Sequence, residues 1–256
     1  MLVTTPRRRW SPAKRRLIAP LQVTSALGLL TSRRDTIGYV AEFYMYADET
    51  GDLDMTGSPG SSAYFGFGTA VFEGDHGRAL WDGLQLRCTL EAKGIALPRG
   101  LHAKNDSHST RDEVFALIRT QAPRFDTTFL AKSKAYSYVK AAGQLRLYKL
   151  AWYLHFKEIA PRVAARGDTL YVIAATLTTN KKTGNARVAL TDVCDQFALG
   201  RNIVLCNWDA PSSWGVQVAD YGLWATQRVL EGRSCPWYEP SVKPTLETRF
   251  LPWGRA

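Results

Sequence analysis

Sulfur is scarce in this chain, with four cysteines and three methionines among 256 residues. Cys88, Cys194, Cys206 and Cys235 form no C-x-x-C pair and no zinc-ligand spacing, so they read as reduced thiols in a cytoplasmic protein. Long apolar runs are missing too. No stretch reaches the roughly 18 residues of a membrane span, so no membrane association is expected. Leu17–Leu30 follows a basic segment as a signal-peptide core would, but Pro20, Gln22, Thr24 and Ser25 interrupt it and no small-residue cleavage pattern follows. Several catalytic signatures are absent. Gly66-Phe67-Gly68 lacks the third glycine of a dinucleotide site, and there is no Walker A lysine motif and no G-x-S-x-G elbow. Asp52-Leu53-Asp54-Met55-Thr56-Gly57 opens like a calcium loop, yet Ala63 stands where the closing Glu belongs. Glu91-Ala92-Lys93 echoes the E-x-K of restriction-type nucleases but falls at a predicted helix end.

Acids are outnumbered, 23 against 33 Lys and Arg, for a net charge of +10. The imbalance is local. Residues 1–38 hold Arg7, Arg8, Arg9, Lys14, Arg15, Arg16, Arg33 and Arg34 against one acid, Asp35. This segment reads as a basic, disordered tail, able to bind nucleic acid nonspecifically or simply solvated, or as sequence upstream of a later true start. Residues 39–256, in a chain that is 45% apolar, suffice for a single α/β domain with a sizeable core.

The pattern along that domain predicts alternation. Glu42–Asp48 and Ala63–Phe72 read as two strands of a long-looped hairpin. A helix capped by Asp75 runs to Lys93 and stops at Gly94; another spans about Asp112–Thr120, started by Ser109 or Thr110. Phe125–Ala131 is a strand. Gln144–Ile159 is a deeply buried helix with a wide apolar stripe, punctuated by Pro161 and Gly167. Leu170–Ala175 reads as a central strand, followed by a helix over Asn185–Leu199, a strand over Asn202–Cys206 and a helix over Trp214–Leu230. An antiparallel start followed by strand–helix alternation predicts a mixed central sheet with flanking helices.

Chemistry concentrates in two short acidic motifs. Asp48-Glu49-Thr50-Gly51 ends the first strand, where ligands gather in α/β proteins. Gln217-Val218-Ala219-Asp220 lies on the last helix, with Val216, Leu223 and Trp224 sharing the face of Asp220. Carboxylates in such places are costly to bury without a cationic partner, and a shared divalent metal is the simplest one. Ordinary turn chemistry at Asp48 and a backbone-accepting role for Asp220 are the competing readings. Asp209, before the last helix, suits a metal ligand or a turn equally. In the polar stretch His102-Ala103-Lys104-Asn105-Asp106, His102 suits a proton shuttle and Lys104 a phosphate contact; a solvated loop is the alternative.

Together the two motifs resemble the bacterial family called domain of unknown function 3800, which has a D-E-S-G-like motif at the end of its first strand and a Q-x-A-D-like motif on its last helix. Asp209 and Ser212 look like its acidic and Ser positions before that helix, and His102 falls in its mid-chain polar motif. The resemblance covers about residues 42–231. It implies a ribonuclease H-like fold with acids converging on two divalent metals. Two departures stand out: Thr50 replaces Ser, and Leu170–Ala175 runs into Thr176-Leu177-Thr178-Thr179-Asn180 without the carboxylate that a ribonuclease H-like enzyme places there. The expectation is a metal-dependent nuclease acting on RNA or DNA. Asp48, Glu49, Asp209 and Asp220 would hold Mg2+ or Mn2+, with His102 and Lys104 assisting. The alternatives are a non-catalytic nucleic-acid-binding module and a protein-interaction component of a mobile-element or defence system.

Overall fold

The structure is a computed structural model that describes residues 40–175, 180–198 and 200–256, and the side chains of all of these except 180–186. The chain divides into two units, Met1–Gly38 and Tyr39–Ala256. The expectation of a disordered basic tail falls on the first unit, outside the described residues.

The second unit is α/β. Strands β1 (Glu42–Thr50), β2 (Tyr64–Glu73), β3 (Arg124–Ala131), β4 (Thr169–Ala175), β5 (Asn202–Trp208) and β6 (Leu246–Phe250) form one mixed sheet in the order β5-β4-β1-β2-β3-β6. β1, β2 and β3 are antiparallel neighbours; β4 and β5 add to β1 in parallel, and β6 lies parallel to β3. Six helices cover the sheet: α1 (Gly77–Ala92), α2 (His108–Gln121), α3 (Ser137–Ala142), α4 (Gln144–Val163), α5 (Asn180–Phe197) and α6 (Trp214–Leu230). None is long and apolar enough to cross a membrane.

Both sheet faces are buried, and the pleat sorts β1 between them. Met45 and Ala47 face α4 and α5, where Leu147, Trp152, Phe156 and Val193 complete a core. Tyr46 faces the opposite side, among Leu90 of α1, Phe115 of α2 and Val216 and Tyr221 of α6. Such two-sided burial explains why β2 is apolar almost throughout, YFGFGTAVF. The α4-facing core contains one fully buried histidine. His155 lies between two threonine hydroxyls, Nδ1 at 3.0 Å from Thr128 Oγ1 and Nε2 at 3.3 Å from Thr69 Oγ1. Desolvation lowers its pKa to about 3, so the ring is held neutral.

Helix α6 lies close to the sheet because glycines remove the side chains between them. A Cβ on Gly215 would stand 2.3 Å from the Tyr46 ring, one on Gly222 2.4 Å from Phe125, and one on Gly68 of β2 2.7 Å from Leu223. Ser213 caps α6, its hydroxyl accepting from the Val216 N–H at 3.4 Å.

Four expectations are corrected. β1 continues through Thr50, so Asp48 and Glu49 are still paired with Gly68 and Phe67 rather than entering a loop. α4 passes through Pro161 to Val163, and the proline falls in the last turn on the exposed side of the helix. α5 starts at Asn180, five residues before the predicted start. α3 and the edge strand β6 were not predicted. The latter alternates half-buried Leu246, Thr248 and Phe250 with exposed Glu247 and Arg249, a weak signal in five residues.

The turn after β1 explains the calcium-like spacing. The ammonium of nearly buried Lys132 donates to the Asp52 carboxylate at 2.8 Å, to the Asp52 carbonyl at 3.2 Å and to the Asp54 carbonyl at 2.7 Å. A lysine cation thus sits among the oxygens of this loop. These bonds, with those from Ser62, hold the Asp52 carboxyl well below the usual range despite partial desolvation.

Candidate active site

Parallel strands β1 and β4 end at the same side of the sheet, and β4 stops at Ala175 while β1 runs on through Asp48 to Thr50. Past that stop lies a cavity of about 230 Å³ lined by Asp48, Glu49, Arg99, His102, Gln217 and Asp220, with Ala175 and Val216 among its apolar walls. Two chain segments more than 160 residues apart thereby meet.

Each acid has a structural reason for its position. Asp48 pairs directly with Gly68 in the antiparallel ladder, so the two share the α6 face, and the missing side chain at Gly68 admits Leu223 beside it. Thr50, two residues on, also faces α6 and donates its hydroxyl to Gln227 Oε1 at 2.6 Å. The Thr-for-Ser departure therefore preserves a hydroxyl contact. The pleat directs Glu49 to the other face, toward Tyr148 of α4, yet it borders the same cavity because the cavity opens at the sheet end. Asp220 lies one residue past Ala219, at the margin of the buried face of α6, with 15% of its side chain exposed.

The acids share one low-dielectric space. Burial, with the charges of Glu49 and Asp220, pushes the Asp48 carboxyl well above its ordinary value. Burial, with the charge of Asp220, raises Glu49 to about 7, against an opposing backbone hydrogen bond. Among the described residues no lysine or arginine forms an ion pair with either. The nearest balancing groups are Arg99 and His102, both on the cavity wall.

His102 is fixed from three sides. Its Nδ1 lies 3.0 Å from Asp220 Oδ2, which also accepts the Ala103 N–H at 2.7 Å. The His102 N–H donates to Asp106 Oδ2 at 2.8 Å, and the same Asp106 oxygen accepts from the Tyr221 hydroxyl. Adjacent residues of α6 therefore anchor both ends of the His102–Asp106 turn. The hydrogen bond to Asp220 raises the His102 pKa above its ordinary value, against the opposing effect of burial. Gln217 joins α6 to the preceding turn, donating to the carbonyls of Ala210 at 2.9 Å and Pro211 at 3.1 Å.

Two sequence candidates lie elsewhere. Asp209 is exposed and precedes a short 3-10 turn, where its carbonyl accepts from Ser212; it does not line the cavity. The turn reading of Asp209 is the one its contacts fit. Lys104 is exposed and also absent from the lining. Arg99 occupies the wall instead. Gly100, with φ +71°, lets this loop pack close to Gln217 and Pro211; a Cβ there would stand within 3 Å of both. Arg99 stands between Pro98 and this glycine, beside the polar stretch already singled out; that flanking is the only sequence signal for it.

Among the described residues, no group of three or more His, Cys, Asp or Glu side chains is placed to hold a metal ion. The cavity brings the carboxylates of Asp48, Glu49 and Asp220 together with Gln217, His102 and the cation of Arg99. A comparison of the chain with protein-family models gives no match, and neither does one with curated proteins.

Proposed function

We propose that this protein is a metal-dependent nuclease of the ribonuclease H-like type, a divergent relative of the domain of unknown function 3800 family. The convergence of Asp48, Glu49 and Asp220 on one cavity at the carboxyl ends of parallel strands carries the reading. The antiparallel β1-β2-β3 start, the parallel addition of β4 and β5, and a last helix that delivers an acid support the fold assignment.

Asp48, Glu49 and Asp220 would hold Mg2+ or Mn2+, which supplies water activation and charge neutralisation at a phosphodiester. Asp48 would be the central ligand of the three, on the strand between the helix that carries Asp220 and the face of Glu49. Asp220 would hold the ion with the carboxylate whose Oδ2 also accepts from the His102 ring and the Ala103 N–H. His102, which lines the cavity and is held by Asp220, would carry a proton. Arg99 contacts a substrate phosphate, the role that Lys104 was expected to fill.

A second reading is favoured by one specific observation: Ala175, not an acid, ends β4 at the cavity wall. A chain lacking that ligand can bind nucleic acid without cutting it. Incubating the purified protein with labelled RNA and DNA, single- and double-stranded, in Mg2+, Mn2+ or EDTA decides between them. The nuclease reading expects cleavage in metal only, abolished by Asp48→Asn. Binding without cleavage under every condition selects the non-catalytic module.

A further inference from the structure

β3 runs parallel to β1 through the intervening β2, and β6 runs parallel to β3, so both end on the side of the sheet that holds the cavity. Beyond β3 the chain turns through Lys132–Lys134 into α3; beyond β6 it reaches Trp253. Tyr136 and Tyr138 project from this turn, each 56% exposed. Their rings stack, with centroids 5.8 Å apart and planes inclined by 10°. Trp253 meets Tyr136 edge-on at 5.9 Å, and the Arg146 guanidinium lies 6.0 Å from the Tyr138 ring.

Charge around these rings has one sign. Residues 132–157 contain six Lys and Arg and no acid. Lys132 is consumed by Asp52 and Lys149 pairs with Asp192. Lys134, Lys140 and Arg146 are exposed, without an ion-pair partner among the described residues.

Exposed, mutually stacked rings flanked by unpaired cations match the two surfaces of a single strand: base faces extend the stack on an outer ring face, and phosphates meet the cations. A duplex hides its base faces, and an acidic peptide leaves the stacked rings unused. We infer that Tyr136 and Tyr138, with Lys134, Lys140 and Arg146, form a stacking platform for single-stranded nucleic acid. The platform rests on the nuclease reading in one respect: it names a single strand as what reaches the cavity. The platform lies beyond the end of β3, two strands from β1, at the same end of the sheet as the acids.

The test is fluorescence anisotropy of the full chain with labelled oligo(dT), oligo(rU) and a duplex of equal length, in EDTA so that cleavage does not intervene. Single strands are expected to bind more tightly than duplex, and the dT and rU arms distinguish DNA from RNA. Tyr138→Ala should weaken binding roughly tenfold, Tyr136→Ala by a similar factor, and Tyr138→Phe should bind as wild type because it keeps the ring. Replacing Lys134 and Lys140 by Ala should flatten the salt dependence by about 0.7 in log–log slope per lost phosphate contact. Tyr136 supports Trp253, so Tyr138→Ala, whose ring is packed only against Tyr136 and Arg146, is the decisive variant; its melting temperature is recorded alongside. Unchanged affinity in a folded Tyr138→Ala protein, an equal loss in Tyr138→Phe, or a preference for duplex overturns the platform. Weakened binding in the tyrosine variants of a protein that never cleaves leaves the platform standing and removes the nuclease reading; cleavage with unaffected binding does the reverse.

Discussion

Asp220 and His102, 118 residues apart, are joined at 3.0 Å through Oδ2 and Nδ1, and the same oxygen accepts the N–H of Ala103 at 2.7 Å. Asp220 is therefore a structural acceptor and a candidate ligand together. The two roles, which looked like alternatives, meet on one carboxylate.

Asp220→Asn should accordingly have two effects. Metal-dependent cleavage is lost, because an uncharged amide is a poor ligand. Stability falls by about 1 kcal/mol, since charge-assisted bonds to the His102 turn become neutral ones. Urea denaturation beside a nuclease assay checks this; a variant as active as wild type would remove Asp220 from the ligand set.

Gly215→Ala and Gly222→Ala should each destabilise by about 1–3 kcal/mol, through contact of the new methyl with Tyr46 or Phe125. The activities should diverge. Gly215 lies one turn before Asp220, so its displacement also shifts the acid. Gly222 acts against Phe125, deeper along β3. The comparison is kcat at a temperature where both variants are folded; identical kcat values would show that α6 moves as a rigid body.

Lys132→Met should cost about 1–3 kcal/mol, leaving two carbonyls and the Asp52 carboxylate without their donor. The loop over residues 51–62 should become a preferred site of limited proteolysis. Unaltered cleavage kinetics at that loop would mean that the ammonium is not what holds it.

The buried His155 sets an acid limit. Its folded pKa is about 3 against 6.5 unperturbed, so between those values the unfolded chain binds a proton that the folded one refuses. Stability therefore falls as pH drops below 6.5, by up to about 1.4 kcal/mol per pH unit from this residue alone. His155→Gln should flatten that slope. Urea midpoints of the two proteins across pH 4–7 measure it, and parallel curves would contradict the assignment.

Much of the architecture was legible because burial imposes period on sequence. Trp214–Leu230 was read to its ends from its apolar face, and Leu170–Ala175 was read as a central strand from its continuous apolar run. The acids Asp48, Glu49 and Asp220 were legible for the opposite reason, since charge in apolar segments demands explanation. Their convergence was expected too, but not the close approach of α6 that Gly68 and Gly215 allow. Arg99 and Lys104 show the same limit. Both are cations in one loop, and only the backbone turn at Gly100 decides which faces the acids. β6 escaped because an edge strand half open to water carries charges that hide its alternation.

The half-sites sit in the first strand of the sheet and the last long helix. A ribosome-bound chain that has emerged only through α5 carries Asp48 and Glu49, but neither Asp220 nor the anchor for His102. The cavity therefore needs β1 and α6 together, and any proteolytic product that has shed α6 has lost Asp220 and with it the cavity wall.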